Sequence, residues 1–198
     1  AGGYIESRRE AERLVLSYVA EHGLPAVVAN VSNPYGPPDW QPRQGMFVKL
    51  AALGKLPFYV RGVGAEVVGI DDVADALLLA AQRGRIGQRY IVSERFITQR
   101  ELVSIAAEAV GARPPRLGVP MAVLNGLARL SDAVGTLVHR DFPMSRQSAR
   151  LVELTSPASH EKATRELDWH PAPTADFIRR AAQTYLQRSA DISSAAPT

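Results

Sequence analysis

A helix pattern, a tight turn and a strand pattern follow one another near the start of the chain, and this order constrains the fold most. Residues 4–22 have helical spacing, with an apolar stripe of Leu14, Val15, Tyr18 and Val19. Gly23 stands where a helix C-terminal glycine belongs. Residues 26–31 form a short apolar run rich in β-branched side chains, typical of a buried parallel strand. The succession predicts an α/β unit.

The same alternation of patterns continues along the chain. It predicts helices at 44–55, 71–82, 98–110, 121–138, 160–168 and 173–187, strands at 66–70 and 89–92, and Pro-rich loops at 32–42 and 113–120. Asp72 with Asp75, and Thr98 with Glu101, match the spacing of a capping box. Asp71 and Asp72 are therefore interpreted as helix caps rather than as catalytic groups. The Ser/Ala/Pro-rich residues 189–198 are predicted to be disordered.

Composition restricts the classes of function. The chain has no cysteine, which excludes disulfides and thiolate metal sites and fits a reducing cytoplasm. The 23 basic and 20 acidic residues are interspersed, so no nucleic-acid arm is predicted. The histidines show no metal-ligand spacing, and polar side chains within 121–138 disfavour a membrane span. Ala1-Gly2-Gly3, without an initiator Met, is typical of the middle of a longer protein.

Tyr4 and Arg8 form a candidate catalytic pair. Four residues apart at the start of the first helix, they lie on one face, one turn apart. A cation there stabilises a tyrosinate and lowers the tyrosine pKa from about 10. A tyrosine tuned in this way can exchange a proton with a carbonyl or hydroxyl near neutral pH. An ordinary pair of surface side chains has the same spacing, and spacing alone favours that interpretation.

Five segments in order resemble extended short-chain dehydrogenases/reductases, the NAD-dependent epimerase/dehydratase family. The likeness covers residues 4–187 and is nearest to the dihydroflavonol reductase-like and hopanoid-associated epimerase-like group. Its first segment, Tyr4-Ile-Glu-Ser-Arg-Arg-Glu-Ala-Glu12, is similar to the Tyr-x-x-Ser-Lys-x-x-Ala-Glu motif. The others are Asn33-Pro-Tyr-Gly-Pro-Pro-Asp39, Val68-Gly-Ile-Asp-Asp-Val-Ala74, Gly84-Arg-Ile-Gly-Gln-Arg-Tyr90 and His160-Glu-Lys-Ala-Thr-Arg-Glu-Leu-Asp-Trp-His-Pro171.

The resemblance implies an α/β fold, namely the C-terminal part of a Rossmann-type doubly wound parallel sheet plus a small, mainly helical substrate domain. The end of the dinucleotide-binding domain would occupy 1–33 and the substrate domain, with elements returning to the sheet, 34–188. Tyr4 would be the general acid/base. Arg8 stands where the family has a lysine that also binds the nicotinamide ribose, and Arg and Lys are not interchangeable at a tight site. Tyr4, Arg8 and the backbone at Val31, Ser32 and Asn33 would meet the cofactor.

The cofactor implied is NAD(P), with NADP favoured, and no metal. Trp40, Met46 and Phe47 either line an apolar substrate pocket or pack in the core of the small domain. A steroid-, terpenoid- or flavonoid-like small molecule is the first candidate substrate and a nucleotide sugar the second. The resemblance is compatible with a homodimer.

Two parts of the family site do not occur in these residues: the Gly-x-x-Gly-x-x-Gly loop and the serine or threonine partner of the tyrosine. The 198 residues alone are therefore expected to bind NAD(P) weakly or not at all. Two other interpretations stay open. One is a non-catalytic NAD(P)-binding homologue, which Arg8 and Val31 favour, since both depart from the family pattern. The other is an interaction module in which the apolar helix predicted at 121–138 packs on a partner or a membrane surface.

Overall fold

The computed structural model describes residues 2–37, 45–123, 126 and 157–194, without the side chains of Tyr4 and residues 192–194. The helices are α1 (Gly2–His22), α2 (Met46–Ala52), α3 (Ile70–Arg83), α4 (Gln99–Glu108), α5 (Glu161–Leu167) and α6 (Thr174–Ser194). The strands are β1 (Val28–Val31), β2 (Asn33–Tyr35), β3 (Phe58–Arg61), β4 (Gly64–Gly69), β5 (Arg89–Val92), β6 (Arg95–Thr98) and β7 (Leu117–Pro120).

The described strands form three small sheets. β1 and β5 pair in parallel, with Val28 opposite Arg89 and Val31 opposite Val92. In the second sheet the order is β2-β4-β6, with β2 parallel and β6 antiparallel to β4. β3 and β7 make a separate parallel pair. Parallel pairs connected through helices confirm the α/β class.

Strand β4 lies between two apolar cores. Its consecutive residues Val67 and Val68 are both fully buried and point to opposite faces, as side chains along a strand do. Val67 belongs to a core built mainly from α2, α4 and α6. Val68 belongs to a second core formed by α3, β5, α5 and Trp169. The strand therefore lies between the core of α2, α4 and α6 and the helices that cover β5.

The α/β unit predicted at the start of the chain is confirmed as a helix, a turn and a parallel strand. The predicted burial of the strand is wrong. Helix α1 ends at Gly23, whose φ of +66° suits glycine, and β1 pairs in parallel. However, β1 is not buried: Asn30 is exposed and Val31 is 40% exposed. Among the described elements β5 borders β1 on one edge only, so its last residues stay open.

Short strands account for most of the differences from the predicted elements. β2 lies inside the predicted loop 32–42 and β7 inside the predicted loop 113–120, while β3 and β6 were not predicted. Each has only three or four residues, too few to show a periodic pattern. Their stability comes from partners distant in sequence, such as the pairing of Phe58 with Leu117.

The two predicted capping boxes had different outcomes. Thr98 is the N-cap of α4, and its side chain accepts a hydrogen bond from the Glu101 backbone at 3.2 Å, which is the Thr98 half of the predicted box, while the Glu101 carboxylate accepts from Arg95 at 2.7 Å. The box of Asp72 with Asp75 is wrong, because α3 begins after Gly69 and has no side-chain cap. Asp72 lies instead in the first turn of α3 and is buried.

The C-terminal helices α5 and α6 are confirmed, and α6 is longer than predicted. It continues to Ser194, through the first part of the segment 189–198 that composition predicts to be disordered. Its apolar face is buried, with Ile178 and Ala182 in the core shared with α2 and α4 and Phe177 packed against Gly69, which explains why the helix persists. The predicted helix 121–138 lies mostly outside the described residues. No helix among those described is long and apolar enough to cross a membrane.

Candidate cofactor and catalytic site

The carboxyl end of β1 carries the residues predicted to meet the cofactor. Val31 pairs with Val92, and the backbone N–H of Ser32 donates to the Val92 carbonyl at 3.0 Å. The Ser32 hydroxyl is buried and finds no hydrogen-bond partner among the described residues. Asn33 begins β2, and its side-chain amide donates to the Glu66 carbonyl at 2.8 Å. An unpartnered buried hydroxyl costs free energy unless a bound group or water satisfies it.

Helix α1 carries Tyr4 and Arg8 in its first two turns. The backbone of Tyr4 is helical, its side chain is outside the described set, and the Arg8 side chain is exposed. An ion pair at 2.9 Å between Glu12 and Arg89 ties the middle of α1 to the start of β5. The structure thus attaches the helix of the predicted catalytic pair to the sheet of Val31 and Ser32. The catalytic roles themselves remain predictions.

The predicted substrate residues separate into different environments. Trp40 lies outside the described residues. Met46 is the first residue of α2 and is 44% exposed. Phe47 is partly buried and packs against the core formed by α2, α4 and α6, which is the core alternative given for it. A substrate role for Met46 stays a prediction.

The loop after β2 is held by residues that sequence reasoning missed. A Cβ atom added to Gly36 would lie 2.4 Å from Ile70 Cγ2, and one added to Gly69 would lie 2.3 Å from the Phe177 ring. Phe177 of α6 is itself 4% exposed. These close approaches require glycine at both positions. The sequence signal was available in Gly69, which stands where the resembling family segment has a bulky histidine.

Tyr35 ends β2, just before this loop, and its side chain is buried. Its side chain is 8% exposed at the end of β2. Burial raises the pKa of its phenol to about 12, because the charged form loses its hydration. A phenol with such a pKa stays protonated near neutral pH. Tyr35 is therefore a packing residue.

A buried carboxylate, Glu66 on β4, is the most connected polar group near the end of β1. The Ser93 hydroxyl donates to one of its carboxylate oxygens, and the Ala158 backbone N–H donates to the other at 2.8 Å. Sequence reasoning missed this group. A glutamate in the strand Gly64–Gly69, whose other residues are small or apolar, was the signal that could have found it.

Asp72 has a structural environment rather than a catalytic one. The indole N–H of buried Trp169 donates to its backbone carbonyl at 3.0 Å, which joins the start of α3 to the segment after α5. Burial, assisted by repulsion from Asp75, Asp71 and Glu94, raises the carboxyl pKa above its usual range, and a backbone hydrogen bond from Ala172 partly offsets it.

Two of the family-like segments touch each other. Arg85 forms a bidentate pair with Glu166, at 2.6 and 3.2 Å, and the Tyr90 hydroxyl donates to the same carboxylate at 3.1 Å. The Arg85 guanidinium, with Tyr90, holds the pKa of Glu166 below its usual range. Lys162 donates to the Arg89 carbonyl at 3.0 Å and lies 5.0 Å from the centre of the Tyr90 ring. Residues 84–90 and 160–171 therefore form one structural unit.

The described histidines have no shared site. His160 contacts the edge of the Trp169 ring, His170 lies 3.1 Å from Asp168, and His22 is exposed at the end of α1. Within residues 2–37, 45–123 and 157–194, no three His, Asp or Glu side chains cluster in a way that could hold a metal ion. His139 lies outside the described residues.

Comparison with known proteins shows which proteins this chain resembles. Residues 1–93 match the sequence profile described as "NAD dependent epimerase/dehydratase family". Sterol demethylase protein B of Methylococcus capsulatus is 28% identical over 175 residues, 85% of this chain and 52% of that protein. A putative dihydroflavonol 4-reductase of Synechocystis sp. is 32% identical over 125 residues, 61% of this chain and 36% of that protein. These relatives extend the likeness well beyond residue 93.

The fold comparison agrees. PA4631 of Pseudomonas aeruginosa, described as a nucleoside-diphosphate-sugar epimerase, superposes with a TM-score of 0.73 at 23% identity, over 95% of this chain and 56% of that one. Residues 1–93 are thus similar to the NAD-dependent epimerase/dehydratase family, and the chain has a Rossmann-type α/β fold. It spans about half the length of the curated relatives that it matches over most of its own length.

Proposed function

We propose that the protein carrying this chain is an NAD(P)-dependent oxidoreductase that acts on a carbonyl or secondary alcohol of a small, apolar substrate, with Tyr4 as the general acid/base. The cofactor, when bound, supplies or accepts the hydride. Tyr4 then donates its phenolic proton to the carbonyl oxygen during reduction, and its phenolate takes the hydroxyl proton during oxidation.

The observation that carries the proposal is the Ser32 hydroxyl. It is buried at the carboxyl end of β1, where open α/β sheets bind their ligands, and it lacks a partner among the described residues. The adjacent polar groups at Asn33 and Val92 already bond within the protein. A carboxamide such as that of nicotinamide would satisfy the free hydroxyl. The residues present therefore fit the cofactor that the family name implies.

The position of Tyr4 along α1 supports its role. If the short connection 23–27 reverses the chain between α1 and β1, the start of the helix and the end of the strand come to the same edge. Glu12 is tied to Arg89, which is opposite Val28 at the start of β1. Tyr4 is then about 12 Å farther along the helix, and Ser32 about 13 Å farther along the strand. Tyr4 and Ser32 therefore lie at similar distances from the Glu12–Arg89 ion pair, which favours a site that they share.

Arg8 lies on the same face as Tyr4, one turn further on. Its guanidinium keeps the positive charge that favours a tyrosinate, so the proton-transfer function can be retained. The guanidinium is a planar fork and bulkier than an ammonium, so its contact with a ribose would differ from that of a lysine. We therefore expect a weaker contribution to cofactor binding than to acid/base chemistry.

Two named relatives favour an apolar substrate. One is called a sterol demethylase protein and the other a putative dihydroflavonol 4-reductase, and both names refer to compact ring systems. The exposed thioether of Met46 offers an adaptable apolar contact for such a surface. The second candidate is a nucleotide-sugar epimerase or dehydratase, favoured by the likeness to the P. aeruginosa epimerase and to dTDP-glucose 4,6-dehydratases.

The first test replaces Tyr4 by phenylalanine in the full-length protein. Tyr4→Phe removes only the hydroxyl, so turnover should fall by about 10²-fold or more while the dissociation constant for NADPH stays within about twofold. Tyr18→Phe is the matched control, since Tyr18 lies exposed on the same helix. NADPH is expected to bind more tightly than NADH in the same titrations. Normal turnover in Tyr4→Phe would defeat the assignment.

The second test separates an enzyme from a catalytically silent binding protein. Arg8→Lys restores the lysine of the family pattern, and Arg9→Lys is the control on an exposed neighbouring position. If the natural protein is an enzyme, Arg8→Lys should change an existing rate by a moderate factor. Activity that arises only in Arg8→Lys would show that the natural protein binds the cofactor without catalysis.

A further inference from the structure

Two chain crossings between sheets lie side by side near the proposed cofactor site. The chain leaves β1 and enters β2 through the single residue Ser32. It leaves β5 and enters β6 through Ser93 and Glu94. The crossings are neighbours, because Ser32 bonds to the Val92 carbonyl at 3.0 Å. We refer to residues 32–33 and 93–94 as the joint between the β1-β5 sheet and the β2-β4-β6 sheet.

Glu66 of β4 bonds to both halves of the joint. Its backbone carbonyl accepts from the Asn33 side chain at 2.8 Å, and its carboxylate accepts from the hydroxyl of fully buried Ser93. The next residue, Val67, accepts from the Glu94 backbone at 2.8 Å. The two crossings are thus fastened to the same two residues of the central strand.

The second carboxylate oxygen of Glu66 holds a third segment. It accepts from the Ala158 backbone N–H at 2.8 Å, just before α5. Glu66 is 7% exposed, so its carboxylate has exchanged most of its water for these donors. Burial of a charged group is costly unless donors compensate it, and removal of the acceptor would strand the donors as well.

We propose that Glu66 is a positioning residue whose hydrogen bonds to Asn33, Ser93 and Ala158 fix the sheet that carries Ser32 against the sheet that leads into the small domain. The inference rests on the proposed function, because it assigns Glu66 to the support of the cofactor site. Glu66 does not itself contact the cofactor. It sets the angle at which the end of β1 meets β2.

The hydrogen bonds to Ser93 and Ala158 require two polar atoms at the end of the side chain at position 66. Glu66→Gln keeps a carbonyl oxygen for the Ala158 N–H and offers an amide N–H to the Ser93 hydroxyl, which can turn toward the Val67 carbonyl 3.3 Å away. Glu66→Leu keeps the approximate bulk but removes both acceptors. If positioning is the role, glutamine should substitute for glutamate and leucine should not.

The experiment uses the full-length protein with two measurements on each variant. Hydrogen exchange followed by mass spectrometry reports peptides covering 157–162 and 89–98, and fluorescence titration reports the dissociation constant for NADPH. In Glu66→Leu we expect exchange at these peptides to rise about tenfold or more and NADPH affinity to fall about tenfold. Glu66→Gln should stay within about twofold of the natural protein in both measurements. Glu108→Leu, on the exposed face of α4, is the size-matched control.

Ser93→Ala is a second variant that keeps the test possible if Glu66→Leu does not fold. It removes one hydroxyl and should change exchange and NADPH affinity in the same direction, but less. Natural exchange and NADPH affinity in Glu66→Leu would overturn the proposal. So would faster exchange with unchanged affinity, because the bonds would then not position the cofactor site. If the natural protein binds neither NADPH nor NADH, the proposed function fails, whereas the exchange measurement still decides whether Glu66 holds the joint.

Discussion

The packing of the Phe177 ring on Gly69 predicts that a methyl group at position 69 destabilises the protein. In Gly69→Ala the new methyl group would lie 2.3 to 2.5 Å from three ring atoms of Phe177, which is buried and cannot move freely. Overpacking of this kind costs about 1 to 3 kcal/mol. The backbone of Gly69, with φ of −70° and ψ of 143°, accepts alanine without strain. Alanine also lowers the conformational entropy of the unfolded chain, which stabilises the folded state by about 0.4 to 1 kcal/mol. A net loss of about 1 to 2 kcal/mol is expected.

A double-mutant cycle isolates the contact. Phe177→Leu alone should lower the free energy of unfolding, because it leaves a void beside Gly36 and Gly69. In the double variant the smaller side chain makes room for the new methyl group. The combined loss should then be smaller than the sum of the single losses by about 1 kcal/mol or more. Gly69 is also the N-cap of α3, where alanine is less favourable, but Phe177→Leu cannot rescue that effect.

The assay is urea unfolding of the full-length protein, followed by far-UV circular dichroism, with slopes compared between variants. Gly3→Ala is the control, since a Cβ atom there meets nothing within 4 Å, and it should cause no loss of stability. Additive losses in the cycle, or a Gly69→Ala variant as stable as the natural protein, would refute the packing argument.

Two further predictions concern the termini of α3 and α4. Asp72→Asn should raise stability at neutral pH. Since burial raises the pKa of Asp72, the ionised carboxylate disfavours folding, and the natural protein should lose stability as pH rises from the usual Asp range through the raised pKa. Thermal unfolding at pH 3 and pH 7 tests this. Asp72→Asn should be more stable than the natural protein only at pH 7, and an equal gain in stability at both pH values would contradict the prediction. Thr98→Ala should cost about 1 kcal/mol by removing the cap to Glu101, whereas Thr98→Ser should retain most of it in urea unfolding.

The elements that could be predicted are those whose sequence repeats a period several times. Helices α1, α5 and α6 have such patterns, and their positions agree with the structure. β2 and β7 could not be predicted because each exists through a partner strand distant in sequence. The start of α3 was misassigned because two aspartates imitate a cap, whereas Gly69 provides the N-cap through its extended backbone.

The residues of the candidate site also differ in whether the sequence could predict them. Tyr4 and Arg8 could be chosen because their spacing and the family resemblance are local in sequence. The buried Ser32 hydroxyl and the Glu66 bonds could not, since they depend on chain segments that meet only after folding. Phe47 had two interpretations with the same apolar composition, and only its contacts in the structure favour core packing.

The contact between residues 84–90 and 160–171 has a consequence for the history of related sequences. Arg85 and Glu166 are 81 positions apart, yet they share one bidentate ion pair, and Tyr90 contributes its hydroxyl to the same carboxylate. A relative that loses the acid at position 166 leaves the guanidinium at 85 without its partner, so the two positions should change together. Pairwise covariation between these segments should therefore be stronger than between either segment and the exposed side of α6.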